Sequence, residues 1–230
     1  MKEIIEIQGY KDKNVTSKPL SAAYNIDCIA FMKQLPDNYF NLACADPPYG
    51  IGIASNPVRQ AHARKEWDSA IPSDEFFSEL FRVSKNQIVW GGNYFGLPPN
   101  KHFLIWDKLQ PFDFSLAMCE YAWSSFDKPA KIFRMRVVSS NGVSKIHPTQ
   151  KPIELYAWIL RNYANAGDTI FDPMVGSGSS RIAAYKLGFD FCGCEIDKDY
   201  FDAQEERFKS ECFGDIQVSK EKTVKQLTLF

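Results

Sequence analysis

"TIFDPMVGSGSSRIAAYKLG", residues 169–188, decides the fold. An apolar run ends on Asp172, a turn carrying Gly176 and Gly178 follows, and SSRIAAYKL continues as a helix. Strand, glycine turn and helix in that order make one unit of a parallel α/β layer. The glycines let the backbone turn tightly and come close to a ligand. Ser179 and Ser180 then open a helix whose unpaired N–H groups face that ligand. The next strand, FCGCEID, places Glu195 seventeen residues beyond Gly178. An acid at that point of such a unit accepts from two ribose hydroxyls, so the stretch reads as a nucleoside site. The third glycine of a dinucleotide fingerprint is missing, because position 181 is Arg. Taken alone, the stretch also fits an ordinary strand–helix turn.

Upstream, "ACADPPYGIG" (43–52) raises a related question. The apolar run Phe40–Ala45 stops on Asp46, and Pro47 and Pro48 fix the turn that follows. Proline locks φ and removes a donor, so the carbonyls there become rigid acceptors. With the Asp46 carboxylate and the Tyr49 ring, they suit a planar group that carries N–H donors. Ligands of open α/β sheets sit at the carboxyl ends of strands near a topological switch. If the strands before Asp46 and Asp172 are neighbours, the two turns share one crevice.

Further strands are expected near Tyr24 and at 87–90, 102–106, 118–124, 132–138, 168–171 and 189–194. Helices are expected at 28–35, 73–84, 152–164, 179–187 and 200–212. Ser73 caps the second of these, and Phe76, Phe77, Leu80 and Phe81 recur at helical spacing along it. Residues 50–72 show no periodicity and read as a mobile loop. The alternation of strands and helices gives an α/β domain with a largely parallel sheet.

At this point three motifs in order, DPPY (46–49), HPTQKP (147–152) and FDPMVGSGSS (171–180), resemble those of the S-adenosylmethionine-dependent DNA amino-methyltransferases of the permuted β group. The likeness runs from about Tyr24 to Phe208. It implies a single Rossmann-like methyltransferase domain over 1–214, with a mostly parallel mixed sheet flanked by helices. A catalytic half (21–125), a short target-recognition insert (126–146) and a cofactor-binding half (147–212) divide it, and a flexible tail (215–230) follows. By the same resemblance, Asp46 and the Pro47 carbonyl hold the target amino group, Pro48 stiffens the turn, and Tyr49 stacks on an extruded base. Asp27 and Cys28 match the pair beside the cofactor adenine, and Glu195 matches the ribose acid. Asp46, Phe171, Asp172, Gly176, Ser177, Gly178, Ser179 and Ser180 line the cofactor, S-adenosyl-L-methionine. Thr149 and Lys151 lie where the family's loop meets the cofactor carboxylate. Asp27 also reads as a helix cap, and Lys151-Pro152 as a plain helix start. Asp rather than Ser at the head of DPPY resembles the adenine-N6 enzymes more than the cytosine-N4 ones.

An exocyclic amino nitrogen is a poor nucleophile because its lone pair is delocalised into the ring. A carboxylate and a fixed carbonyl can draw both N–H bonds out of plane and localise that pair. Positioning then supplies much of the rate. The base must leave the duplex, at a cost of a few kcal/mol, and stacking on Tyr49, worth roughly 1–3 kcal/mol, offsets part of it.

The 230 residues carry a net charge of −1, so bulk charge does not announce a polyanion partner. The distribution is more informative. Lys128 to Lys151 holds six basic residues and no acid, and Tyr49 to Lys65 holds three and no acid. These stretches form either two solvated faces or an electrostatic footprint for a polyanion, which the resemblance implies is double-stranded DNA. In the second reading Arg59, Arg64, Lys131, Arg134, Arg136 and Lys145 meet phosphates. The interval between the CEYAW strand and HPTQKP is short for the family, which fits a short or weakly specific target, or help from a second subunit in a homodimer.

The end, KQLTLF (225–230), resembles the peptide with which bacterial DNA-processing proteins bind the sliding clamp, with Gln226, Leu227, Leu229 and Phe230 as anchors. The alternative is a tail docked on its own domain or on a dimer partner. Six scattered cysteines with no C-x-x-C pair fit buried thiols in a reducing cytoplasm, of a bacterium or of a phage host. Cys192 and Cys194 are expected to face opposite ways on their strand, and three histidines give no metal constellation. Neither a signal peptide nor an apolar run of about 20 residues, the length of a membrane span, is expected. Competing readings are a cytosine-N4 or RNA amino-methyltransferase, an inactive nucleic-acid-binding relative, and an NAD-dependent oxidoreductase. The last leaves the proline box unexplained.

Overall fold

Leu42 and Cys44 enter one apolar cluster while Ala43 and Ala45 enter another. A strand apolar on both faces must be covered on both, and the whole architecture follows from that. In this computed structural model, residues 18–52, 68–111, 113, 117–136, 145–219 and 222–225 are described. The chain begins with β1 (Ser21–Tyr24), α1 (Cys28–Met32) and β2 (Phe40–Ala45). It continues through α2 (Asp74–Val83), β3 (Ser84–Trp90), a 3-10 turn (Gly92–Tyr94), β4 (Phe103–Asp107), β5 (Cys119–Ser124) and β6 (Lys131–Arg134). Then come α3 (Ile153–Tyr163), β7 (Thr169–Asp172), α4 (Ser179–Lys186), β8 (Asp190–Cys194) and α5 (Lys198–Phe213). A separate antiparallel ribbon, β9 (Asp215–Ser219) with β10 (Lys222–Lys225), lies where the composition reads as the start of a tail.

The main sheet has eight strands in the order β1-β8-β7-β2-β3-β5-β4-β6. β5 runs antiparallel to both β3 and β4, and the other pairings are parallel. β2 and β7 are direct neighbours, with Leu42 opposite Ile170 and Ala43 opposite Phe171. From β7 the chain steps outward to β8, and from β2 it steps the other way to β3. The gap between β2 and β7 is therefore a topological switch point, and Asp46 and Asp172 stand at its mouth.

One face packs Ile159, Leu160 and Ala183 from α3 and α4 against Leu42, Ile88 and Ile170. The other packs Phe31, Met32, Phe76 and Leu80 from α1 and α2 against Ala43, Val89 and Phe171. Phe40 stacks on Phe171 at 4.4 Å between ring centres, nearly parallel. Cys192 and Cys194 both lie in this second cluster, which corrects the expectation that they face opposite ways. Positions two apart on a strand share a face. Among the described residues, no helix is long and apolar enough to cross a membrane.

Candidate active site

β2 delivers Asp46, Pro47, Pro48 and Tyr49 to the switch point. Asp68 folds the turn behind them, its Oδ1 accepting from the N–H groups of Tyr49 (2.8 Å) and Gly50 (3.0 Å). The Tyr49 ring lies over Gly91 so closely that a Cβ there would sit 2.2 Å from Tyr49 Cε1. Gly91 also has φ +69°, a conformation that side chains disfavour. Tyr94, which is 45% exposed, stacks on Tyr49 at 5.1 Å and 16°. The aromatic wall is thus two rings deep.

Each oxygen of the Asp46 carboxylate has a partner. Its Oδ1 accepts from the Tyr49 hydroxyl at 2.9 Å, and its Oδ2 lies 2.5 Å from Lys151 Nζ. Lys151 is only 4% exposed, and its ammonium also reaches Glu120 Oε2 at 3.1 Å and the Tyr49 hydroxyl at 3.3 Å. It lies over the Trp90 and Tyr49 rings, 5.4 and 5.7 Å from their centres. Lys108 closes the network from the other side, 2.7 Å from Glu120 Oε1. Burial pushes Asp46 up from the ordinary carboxylate range, against the pull of Lys151. Burial also opposes the charge on Glu120, yet the Lys151 and Lys108 ammonium groups hold it down to about 2. The same burial works against charged Lys151, but Asp46 and Glu120 outweigh it and raise the ammonium above its ordinary value.

The second half of the crevice follows β7. Asp172 Oδ1 accepts from Met174 N–H at 2.9 Å and its Oδ2 from the Ser180 hydroxyl at 2.5 Å. Burial raises its carboxyl to about 7. Gly178 caps α4 with φ +77°, so the chain turns there with no side chain in the way. Glu195 braces the turn, Oε2 accepting from Gly176 N–H at 2.8 Å and Oε1 from Asp197 N–H at 2.9 Å. Arg207 donates to the Ser177 carbonyl (2.7 Å) and the Ser179 hydroxyl (2.9 Å). The Ser179 hydroxyl in turn donates to the Lys151 carbonyl at 2.7 Å. A Cβ added to Gly176 would meet His147 at 3.8 Å, so the HPTQKP loop lies across the glycine turn.

The structure gathers most of the residues singled out in the sequence. Asp46, Pro47, Pro48 and Tyr49 form one wall, and Phe171, Asp172, Gly176, Ser177, Gly178, Ser179, Ser180 and Glu195 gather around the adjoining turn. Asp27 caps α1, its Oδ1 accepting from Ala30 N–H at 2.8 Å. Cys28 begins that helix, and burial pushes its thiol up to about 12. The Thr149 hydroxyl lies 3.1 Å from His147 Nδ1. The Lys151 ammonium goes to Asp46, and the Lys151 backbone carbonyl meets the helix behind the glycine turn. Lys131, Arg134 and Arg136 are exposed along β6 and just past it, and Lys145 is half-buried. Arg59 and Arg64, and the tail residues Gln226, Leu227, Leu229 and Phe230, lie outside the described residues.

Sequence reading missed Glu120, Lys108, Tyr94 and Arg207. An acid inside the strand CEYAWS and a lysine just past FLIWD were the available signals for the first two.

Residues 105–206 match the DNA methylase family of the N6/N4 type. The type II methyltransferase M.BglII of Bacillus subtilis is 25% identical over 243 residues, covering 80% of this chain and 67% of its own. Among solved structures, the M1.HpyAVI–SAM complex superposes with a TM-score of 0.55 at 20% identity, over 80% of this chain and 98% of that one. The cytosine-N4-specific PvuII DNA methyltransferase gives 0.57 at 14% identity, over 85% and 90%. At such identities the two structures speak for a shared fold.

Proposed function

We propose that this chain, a relative of the N6/N4 DNA amino-methyltransferases, transfers a methyl group from S-adenosylmethionine to the N6 amino group of adenine in double-stranded DNA. The observation that carries the reading is the single crevice at the switch point. A carboxylate beside a rigid proline turn opens there next to a glycine turn, from the adjacent strands β2 and β7.

The residues around the glycine turn fit the donor. The first N–H groups of α4 and the hydroxyl of Ser177 suit its carboxylate, and Glu195, held beside the glycine turn by the N–H groups of Gly176 and Asp197, is the acid placed for the ribose hydroxyls. S-adenosylmethionine supplies an electrophilic methyl group on a sulfonium centre; when bound, it would give up that methyl group to the target amino nitrogen and keep the electron pair of the broken bond on sulfur. The chain's own work is to present the nucleophile. Asp46 and the Pro47 carbonyl each accept one hydrogen of the target amino group, which localises the nitrogen lone pair. The Tyr49–Tyr94 wall holds the extruded base flat against them. After transfer the nitrogen loses one proton to Asp46 or to water. Asp46 serves this role ionised, and Lys151 opposes the burial that favours its neutral form.

Aspartate at the head of DPPY favours adenine. Cytosine-N4 is the second reading, since the matched family covers both amino groups. Such a modifier acts on DNA in the cytoplasm of a bacterium or a phage host. Unmethylated genomic DNA incubated with the protein and S-adenosylmethionine, then digested to nucleosides for mass spectrometry, is expected to yield N6-methyladenine. Asp46→Ala is expected to lower that yield by at least the roughly 10²-fold that loss of one preorganised polar group costs. N4-methylcytosine would assign the other base, and no methylated base would rule out the activity.

A further inference from the structure

The chemistry above makes no use of Glu120, although it stands in the same crevice. From β5 its Oε2 lies 3.1 Å from Lys151 Nζ and 3.4 Å from the Tyr49 hydroxyl, while Lys108 Nζ holds Oε1 at 2.7 Å. Lys151 Nζ is at the same time 2.5 Å from Asp46 Oδ2. One buried ammonium therefore lies between two carboxylates carried by different strands. Both Asp46 oxygens already have donors, Tyr49 at Oδ1 and Lys151 at Oδ2. An incoming amino group competes with them for the carboxylate, and most directly with the ammonium 2.5 Å from Oδ2. A buried ammonium displaced with nowhere to go would be an unpaired charge, which is severely unfavourable. Glu120 offers the second place, and it is already ionised and anchored by Lys108.

We propose that Glu120 is a positioning residue for methyl transfer: it receives the Lys151 ammonium when the target amino group takes Asp46, while Lys108 holds Glu120 in place. The Lys151–Asp46 contact breaks, the amino N–H takes its place on Asp46, the existing Lys151–Glu120 contact tightens, and no proton moves. The inference rests on the amino-methyltransferase reading. Asp46 is faced by Lys151 and Tyr156 from the α3 side, by Glu120 from β5 with Lys108 behind it, by Tyr49 in its own turn, and by Asp172 from β7.

The test is the pH profile of kcat on genomic DNA, with nucleosides measured by mass spectrometry. Glu120→Gln removes a like charge from beside Asp46 and leaves Lys151 to Asp46 alone. The acid limb should move to lower pH while kcat at neutral pH falls roughly tenfold, the kinetic equivalent of one charge-assisted hydrogen bond. Lys108→Gln frees Glu120 to draw Lys151 away, so its acid limb should move the opposite way, to higher pH. Glu120→Asp should restore part of kcat. A Glu120→Gln enzyme with unchanged kcat, or with lower kcat and an unmoved acid limb, overturns the proposal. If that variant does not fold, the upward shift in Lys108→Gln decides alone. Failure of the wild-type protein to methylate any base overturns the functional reading and this inference together, whereas wild-type product with unshifted variants overturns only this one.

Discussion

Asp172 shows how a single buried carboxyl leaves a mark on the pH behaviour of the protein. Burial raises it to about 7 in the folded state, from an ordinary value of 3.8. A carboxyl raised by folding binds its proton more tightly in the native state. Its contribution is therefore favourable at low pH and is lost as pH climbs from the unfolded value through the folded one. Between about pH 4 and pH 7, Asp172 alone makes stability fall with rising pH. Asp172→Asn keeps an acceptor for Met174 N–H and a polar partner for Ser180, and cannot ionise. Its melting temperature, measured from pH 4 to pH 8, is expected to gain on the wild type up to about pH 7 and to level off above it. A constant difference would mean that Asp172 does not titrate there. Such a group was legible in sequence only as an acid closing an apolar strand. Which acids are buried, and with what partners, is settled by strands far apart in the chain. The same limit hid Glu120: within CEYAWS nothing distinguishes an exposed acid from one pinned between two lysines.

The elements were largely readable because both faces of the sheet are covered and the helices carry clear punctuation. Ser73 accepts from Phe76 N–H at the start of α2, and Pro152 opens α3, as the sequence pattern indicated. Boundaries moved where tertiary contacts overrode pattern. β3 begins at Ser84, directly after α2, with the Ser84 hydroxyl turned back onto the Leu80 carbonyl. β6 ends at Arg134, where the run KIFRMRVV suggested a longer strand, and among the described residues its pairing continues through Met135 N–H to the Asp107 carbonyl. The junction of β3 with the 3-10 turn shows what position alone conceals. Gly91-Gly92 reads as a strand end, yet Gly91 is also the floor beneath Tyr49. Gly91→Ala would place a Cβ inside the ring and strain a positive φ. A loss of about 1–3 kcal/mol is expected from the overpacking, read as a lower denaturation midpoint. Methyl transfer should fall as well, because Tyr49 and its bond to Asp46 must shift. A variant with full stability and activity would show that the ring has room to yield.

At the scale of the molecule, a nearly neutral chain can still carry a directional field. Lys131, Arg134 and Arg136 are exposed on and beside the edge strand β6, on the far side of the sheet from β1. If they follow a DNA backbone, Arg134→Ala and Arg136→Ala should each weaken binding about equally on any sequence. Each should also lower the slope of log affinity against log salt by about 1. Fluorescence anisotropy with a labelled duplex across a salt series measures both, and an unchanged slope would place the DNA elsewhere. Lys151 gives the two halves of the sheet a common member. Its carbonyl is held by Ser179 of the helix behind the glycine turn, and its ammonium by Asp46 at the end of the neighbouring strand. A ligand that shifts the first turn of α4 shifts the residue that guards the acceptor, and a base that dislodges the ammonium pulls on the same residue from the other end. On the function proposed above, donor and acceptor affinities are then linked through one side chain and its own main chain. That linkage is symmetrical: whatever factor bound donor lends to the base, bound base returns to the donor.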